Sequence, residues 1–559
     1  MSRDTGWDYL IVTASNAVQA RAYDAQIRLR QRLGLLPRVG RAVIVPDVDD
    51  KRLGSGGATL GALARVLNLE RSRQQESGAE GILRKLRILI VHAGGDSMRL
   101  PAYGPCGKIF VPLPDRPEDA LPATIFDRLV PAFLLLPEGA PGRGQIVVAA
   151  GDALMHWDIS SLRFAHSGIT MLGCRATPEE ASRHGVYCLG EDDSITRYLQ
   201  KPSEAEQERA GAIGLAGEAV LDIGVMSMDA AAAARLMKVF DAGDAGSARE
   251  WIAHGGLDLY REICCAMGSA TTLEHYVSSA RAGGSTWQEE RLARLYPGLR
   301  EIPFHAHVLP HCRFLHFGFT EQLARSGLAM LEQDHGLRPA GSLVSVNNLI
   351  AEAAIVAGPD SWVEGCRISA PLQLAGKNVV VGVDIDAPLS LPPEACLEVL
   401  GGRDRRGDGV WFTRLYGVRD TFKDSIPEGG LFCGQPLADW ISAVGIDADQ
   451  VWLETPDHSD RTLWNARVFP AETSRGGFRR WLWMCAPGEA TPAEKRAYNA
   501  ADRYSAAEIA LLADQRAFHS RRLENWAGQS RDPGSRLFAA HRHSWVARVL
   551  ATADSCFGG

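Results

Sequence analysis

The chain has 559 residues, enough at roughly 150 residues per domain for three or four units and a sizeable core. Apolar residues make up 46% and charged residues 23%, which excludes a disordered or fibrous chain. With 60 Lys+Arg against 67 Asp+Glu, a net charge of −7, there is no basic excess for nucleic acid and no polybasic patch for a membrane surface, so small anionic partners must be met by local positive sites.

Glycine is in excess, 57 residues or about 10% against a usual share of about 7%, which predicts many tight turns and functional loops. The 11 cysteines contain no C-x-x-C pair, which argues against a zinc ribbon or a disulfide framework and predicts reduced thiols in the cytoplasm. The N-terminus MSRDTGWDYL has no long apolar stretch, and LRILIVHAGG is broken by His92 and glycines well short of a membrane span.

From Asp8 to about residue 240 apolar runs alternate with helical patterns: YLIVTAS then AVQARAYDAQIRLRQRLG, RAVIVPD then ATLGALARVLNLE, RILIVHAG, TIFDRLVPAFLLL, QIVVAAGD. Such runs predict a mostly parallel sheet with both faces covered, its ligand loops at the carboxyl ends of the strands. Gly54 to Thr59, Gly94 to Leu100 and Gly151-Asp152 fall there. Between about 340 and 400 apolar residues recur every six positions: Leu343, Leu349, Ile355; Trp362, Ile368, Leu374, Val380; Ile385, Leu391, Leu397. A six-residue repeat with one-residue slips is the pattern of a parallel β-helix, although an ordinary sheet of period two also fits. Val410 to Val418 and Arg461 to Val468 are candidate further coils. The stretch from Thr491 to Leu550 reads as helices interrupted by a loop, RDPGSR, and as packing or assembly material.

The strongest chemical cluster is ILIVHAGGDSMRLPAYGPCGKIFVPL, residues 88 to 113. A strand ends at Gly94-Gly95, where a phosphate can approach backbone N–H groups, and Arg99 and Lys108 add fixed positive charge. Lys108 is followed by Ile109, so the G-x-x-x-x-G-K-[ST] loop of kinases and ATPases is not satisfied. Asp152, after the strand QIVVAA, either caps a turn or holds Mg²⁺ against a phosphate. Gly54, Ser55, Gly56, Gly57, Ala58 and Thr59 form either a crossover or a second set of amides for a phosphate or a base. Asp258 in GLDLYREI reads as a helix N-cap first and a ligand second. His92, His184, His305, His307 and His311 have no zinc spacing.

GSGGATL at 54 to 60, followed by HAGGDSMRLPAYGPCGKIFVPLP at 92 to 114, resembles the L-fucose-1-phosphate guanylyltransferase (GDP-fucose pyrophosphorylase) family, including the pyrophosphorylase part of bifunctional fucokinase enzymes. The resemblance continues through ASN at 14 to 16, TIFDRL at 124 to 129, GD at 151 to 152, RHGVY at 183 to 187, LQKPS at 199 to 203, LDIGV at 221 to 225, LHFGFTEQL at 315 to 323 and the RYSAAEIA helix. It implies a Rossmann-like (GT-A-like) α/β nucleotidyltransferase domain over 1–335, a left-handed parallel β-helix over 336–485 and a helical segment over 486–559. The implied reaction forms GDP-L-fucose and pyrophosphate from GTP and L-fucose-1-phosphate. Arg99, Lys108, Asp152 and Lys201 are then the catalytic group, with Mg²⁺ on Asp152. Gly54 to Thr59, Gly94, Gly95, Asp96, Ser97 and Gly151 face the nucleotide, and His184, Gly185, Lys201, Asp222 and Gly224 the sugar phosphate. Asp222 is also readable as a buried turn residue, and Lys201 as a solvated loop residue.

One departure concerns a D-x-G-T segment that supplies a second metal carboxylate in many sugar nucleotidyltransferases. The comparable segment here is His316-Phe317-Gly318-Phe319-Thr320, without the carboxylate. Either Asp152 holds Mg²⁺ with phosphate oxygens and water or catalysis is compromised, and His316 is a sugar or phosphate contact or a structural residue. The alternatives are a pyrophosphorylase for another sugar-1-phosphate or nucleotide, or a non-catalytic nucleotide-sugar-binding or assembly protein; an acyltransferase is weaker for want of a catalytic His on the coils. The P-x-x-x-G-L-G-S-S loop of a sugar kinase is not found, so a separate upstream kinase is expected. The β-helix is expected to support the catalytic domain or a homo-oligomer.

Overall fold

Four of the apolar runs, β1 (Trp7–Ala14), β2 (Val39–Pro46), β3 (Arg87–His92) and β4 (Gln145–Ala150), lie side by side as parallel strands in the order β4-β3-β1-β2 in the computed structural model. The structure describes residues 6–73, 78–114, 119–242, 245–310, 312–336, 339–453, 457, 460–529 and 539–557. The inner strands are almost wholly buried, as their Val, Ile and Leu content requires. Between them run α1 (Ala17–Arg32), whose first turn is capped by the Asn16 side chain, and α2 (Gly54–Arg71).

The sheet is mixed beyond β4. Strand Ala219–Met228 is antiparallel to β4 and to Ile169–Ala176, which in turn pairs in parallel with Phe304–Leu309. Parallel pairing needs a crossover of a dozen or more residues, usually a helix. Between Ile169 and Met228 the chain has only the short helices Pro178–Ala181 and Glu204–Ala210 and the 3-10 turn Glu191–Asp193, and there it forms antiparallel pairs instead, including Gly185–Leu189 with Ile195–Gln200.

The chain divides into two compact units. The first is Met1–Gly95, Leu129–Gly151 and Met155–Phe314; the second is Asp96–Arg128, Asp152–Leu154 and Leu315–Gly559. The sheet just described belongs to the first. The boundary falls twice inside motifs singled out from the sequence, at Gly95/Asp96 and at Gly151/Asp152.

In the second unit three parallel ladders run together. One joins Val344–Val346, Trp362–Glu364, Val379–Val381 and Ala395–Arg403. Another joins Leu349–Ile350, Arg367–Ile368 and Asp384–Ile385, and the third joins Val356–Ala357, Leu372–Leu374 and Leu389–Leu391. Partners such as Trp362 and Val379, Leu372 and Leu389, or Arg367 and Asp384 lie 17 positions apart (379 − 362), three spacings of six less one slip. Trp362, Ile368, Leu374, Val380, Ile385, Leu391 and Leu397 are buried as the spacing predicts, whereas Ile355 is exposed and Leu349 half-buried.

The expected further coils differ. Gly409–Gly417 runs antiparallel to Ala395–Arg403, and Phe469–Glu472 antiparallel to it, so the parallel ladder ends there. No strand is assigned to the described residues of 461–468. The C-terminal stretch is helical, with Pro492–Asn499 and Ala506–Leu512 both opened by capping boxes, Thr491 with Glu494 and Ser505 with Glu508. Helices Gln515–Gln529 and Ala539–Phe557 follow, and the predicted loop RDPGSR lies outside the described residues. Among the described residues no helix is long and apolar enough to cross a membrane.

Burial grades the expected effects of substitution. Leu374→Asp places an unpaired charge at a buried site and is expected to lower stability by about 3–5 kcal/mol in urea denaturation. Leu349→Asp, at a half-buried site, is expected to cost markedly less. Equal midpoints for the two variants would contradict the inward assignment of Leu374.

Candidate functional site

In the second unit the segment after the glycine pair is short and turn-rich, with single 3-10 turns at Pro101–Tyr103 and Lys108–Phe110. It delivers Lys108 Nζ to 3.6 Å from Asp152 Oδ2. Gly318 lies beside both: a Cβ at that position would stand 3.7 Å from the carboxylate and 3.9 Å from the ammonium. Arg99 stacks its guanidinium on the Phe319 ring at 4.2 Å, and its carbonyl accepts the Thr320 N–H at 2.9 Å. Arg99, Lys108 and Asp152 therefore converge with Gly318, Phe319 and Thr320, the segment in which a second carboxylate was sought. Asp152 keeps 42% of its side chain exposed, while Lys108 keeps 16%. Desolvation lowers the Lys108 pKa, with Asp152 pulling it back up and the Arg99 charge adding to the fall. Such an ammonium is short of counter-charge, a state that a polyanion relieves. The His316 carbonyl accepts from Ser326 Oγ at 2.5 Å, which gives that residue a structural bond.

Ser97 has a left-handed backbone, φ 57°, and its Oγ is buried with no hydrogen-bond partner among the described residues. An unsatisfied buried hydroxyl costs about 1–3 kcal/mol, and a non-glycine residue at positive φ adds to the strain.

Beneath this turn-rich segment lie charges that sequence reading did not single out. Arg414 donates to the Pro101 carbonyl at 2.8 Å and pairs with Glu398, which also accepts from Tyr416; all three side chains are buried. Tyr103 accepts from the Trp362 indole at 2.7 Å and donates at 3.4 Å to Glu364, which pairs with Arg522 of the helix Gln515–Gln529. The Met98 carbonyl accepts from the Phe422 N–H at 3.1 Å. Burial raises the pKa of both glutamates while the paired arginines oppose it. The segment carrying Arg99 and Lys108 is thus fastened at Met98, Pro101 and Tyr103.

In the first unit, Gly54 to Thr59 open α2 and do not form a loop. The amides of Gly56 and Gly57 both donate to the Leu257 carbonyl, at 2.8 and 3.1 Å, so those two N–H groups are already engaged. Gly54 has φ 79°, and a Cβ there would come within 2.4 Å of the same carbonyl, which is why glycine occupies the position. Ser55 Oγ donates to Asp258 at 3.1 Å, and Asp258 accepts from the Tyr260 and Arg261 amides, the N-cap expected of it. Thr59 Oγ1 lies 2.9 Å from His92 Nε2, and desolvation lowers the His92 pKa to about 4 against the pull of Asp258, so the ring is neutral. Ala58 lies on α2 without a polar side chain. Gly94 donates to Thr13 Oγ1, Gln19 reaches the Gly95 carbonyl, and Gly151 donates to the His92 carbonyl. Asp96 is exposed.

A separate group in that unit gathers around Asp222. Its carboxylate is buried and accepts from Tyr198 Oη at 3.0 Å and the Gly224 N–H at 2.7 Å. Gly185 makes room for that phenol, because a Cβ there would lie 1.9 Å from Tyr198 Oη. Burial raises Asp222 to about 6, the hydrogen bonds opposing it. Lys201 is exposed with φ 50° directly before Pro202, and its N–H donates to the His184 carbonyl at 2.9 Å. Its side chain has no hydrogen-bond or ion-pair partner among the described residues. The contact groups around Thr59, Gly94 and Asp222 are each internally bonded.

A family model described as the fucose pyrophosphorylase domain matches residues 80–474. The chain belongs to the fucose pyrophosphorylase family. It is 26% identical over 555 residues to the bifunctional fucokinase/GDP-fucose pyrophosphorylase of Arabidopsis thaliana, covering 90% of this chain and 50% of that protein. It is 26% identical over 517 residues to the L-fucokinase/L-fucose-1-P guanylyltransferase of Bacteroides fragilis, covering 88% and 50%. With the fucose-1-phosphate guanylyltransferase of Mus musculus it shares 23% over 526 residues and 84% of each chain. The chain spans about half the length of the two bifunctional relatives. The family match includes Arg99, Lys108, Asp152, Lys201, Asp222 and the segment at Gly318, and begins after the GSGGAT stretch.

Two expectations follow from the buried groups. Asp222 is raised above its unfolded pKa, so the native state holds its proton more tightly and stability falls as pH rises from about 4 to 6, by up to about 3 kcal/mol. Asp222→Asn is expected to flatten that part of the stability–pH curve. Arg414→Met strands Glu398 and is expected to cost about 3–5 kcal/mol, while the pair Arg414→Met with Glu398→Leu restores most of it.

Proposed function

We propose that the chain is a fucose-1-phosphate guanylyltransferase, forming GDP-L-fucose and pyrophosphate from GTP and L-fucose-1-phosphate. The observation that carries this reading is the convergence of Lys108 and Asp152, 3.6 Å apart beside the side-chain-free Gly318, with Arg99 stacked on the adjoining Phe319, inside a fucose pyrophosphorylase domain. An oxygen of the sugar-1-phosphate attacks the α-phosphorus of GTP in line, the bond to the β-phosphate bridging oxygen breaks, and its electron pair leaves with pyrophosphate. No covalent enzyme intermediate is required, so the work of the protein is alignment and charge neutralisation.

Arg99 and Lys108 neutralise phosphate charge, and Ser97 Oγ, buried without a partner among the described residues, supplies a hydroxyl to a phosphate oxygen. Lys201 meets the sugar phosphate; its left-handed backbone before a proline is a strained geometry of the kind that clusters at functional sites. Among the described residues no three His, Cys, Asp or Glu groups converge on one point. A single half-exposed carboxylate suits Mg²⁺, which keeps several waters and takes phosphate oxygens, so Asp152 would hold it without a second protein carboxylate. Bound there, Mg²⁺ would supply charge for the α-phosphate and the departing pyrophosphate.

The same reading takes 1–335 as a Rossmann-like (GT-A-like) nucleotidyltransferase domain, 336–485 as a domain containing a left-handed parallel β-helix, and 486–559 as a helical segment. The parallel β1 to β4 core and the three ladders stepping by 17 support it. A cytoplasmic location, homo-oligomerisation through the coils, and phosphorylation of the sugar by a kinase activity belong to the same proposal.

Pyrophosphate release with nucleoside triphosphates and sugar-1-phosphates tests the reading, and GTP is expected to exceed UTP by at least about tenfold in kcat/KM, roughly 1.4 kcal/mol. Asp152→Asn is expected to reduce turnover by about a hundredfold or more, roughly 2.7 kcal/mol, in a folded protein. Lys201→Ala is expected to raise KM for the sugar-1-phosphate, and Arg99→Ala to weaken GTP and pyrophosphate. Wild-type turnover by Asp152→Asn would place the site elsewhere.

A further inference from the structure

The first residues of the four parallel strands, Trp7, Val39, Arg87 and Gln145, line one cavity of about 1210 Å³. It opens at the amino ends of the strands, whereas Gly94 and Gly151 follow the carboxyl ends of β3 and β4. Its wall carries six Arg or Lys side chains against three carboxylates, a local excess of three positive charges in a chain whose net charge is −7.

The carboxylates are committed. Glu70 accepts from Tyr9 Oη at 2.5 Å and faces Arg73 at 3.6 Å. Asp8 accepts the Arg87 N–H at 2.7 Å, and Glu138 faces Arg87 at 3.8 Å. Arg87 is further tied to Gln145 and the Leu136 carbonyl and stacked on Trp7, and Arg84 pairs with Glu80. Lys85 is engaged as well, which leaves Arg38 and Arg41: among the described residues neither guanidinium has an ion-pair or hydrogen-bond partner. Burial lowers the Arg87 pKa, Glu138 and Asp8 oppose the fall, and the like charge of Arg38 adds a smaller share to it.

We infer that this cavity is a second anion site, taking a small phosphate-bearing molecule, with Arg38 and Arg41 as its principal donors. Guanidinium forks match phosphate oxygens two at a time. A concave wall focuses their field more than a flat surface would. The volume leaves room for a nucleotide-sized ligand, being above the roughly 300–1,000 Å³ of common ligand clefts. The carboxylates are held by their own partners, so they fix the wall and leave the two free arginines to the ligand. This inference does not depend on the activity proposed above.

Isothermal titration with inorganic tripolyphosphate tests it in the full chain. Three proteins are compared: wild type, Arg38→Ala with Arg41→Ala, and Arg99→Ala with Lys108→Ala. Wild type is expected to show a binding event that Arg99→Ala with Lys108→Ala retains and Arg38→Ala with Arg41→Ala weakens at least tenfold. Arg38 is exposed just before the edge strand β2 and Arg41 is half-buried on it, so the fold is expected to survive, which circular dichroism checks. Unaltered binding in the Arg38/Arg41 variant, loss of all binding in the Arg99/Lys108 variant, or no binding by wild type would each overturn the inference.

Discussion

Two buried ion pairs, Glu398 with Arg414 and Glu364 with Arg522, are the constraint on which the cationic segment depends. An ion pair in a protein interior rarely adds net stability, because desolvating both charges cancels much of their attraction. What it does well is refuse alternatives: either charge left alone is so costly that the elements bearing them have one arrangement. Here the arginine of one pair also holds the Pro101 carbonyl, and the glutamate of the other holds the Tyr103 phenol. The position of Arg99 and Lys108 is set from below by groups that are themselves out of reach of solvent.

Much of the first unit was legible in the sequence because β1, β3 and β4 are unbroken apolar runs, and only a strand buried on both faces has that composition. The six-residue spacing was equally legible through Trp362, Val380 and Leu397, all of which are buried. It failed at Gly409–Gly417, because an antiparallel strand alternates with a period of two and six contains that period; composition does not record which way the chain runs. GSGGAT read as a loop because glycine is a poor helix former, yet the Leu257 carbonyl satisfies two of its amides and lets a helix begin there.

The candidate site shows the same division. Arg99, Lys108 and Asp152 were legible as charged residues beside glycines at strand ends, and the structure brings them together. Gly318 to Thr320 were noticed for the carboxylate they lack, while their contribution is contact: a ring under Arg99, an amide on its carbonyl, and an empty place beside Asp152. The Glu364–Arg522 pair spans 158 positions and Arg414–Pro101 spans 313, distances over which no local pattern carries a signal. Tyr198 and Asp222 are closer in sequence, but their meeting depends on the missing side chain of Gly185, which only the hairpin register reveals.

The discontinuity of the units has a consequence for synthesis on the ribosome. Asp96–Arg128 packs with residues that begin at Leu315, about 190 positions later in the chain. At 5–20 residues per second those partners emerge roughly 10–40 s after Arg128. During that interval Tyr103, buried in the finished protein, has neither Trp362 nor Glu364, and the Pro101 carbonyl lacks Arg414. The nascent chain therefore carries this segment without its ties while the intervening residues are made, and a holding chaperone or a slow-translating stretch would act at that stage.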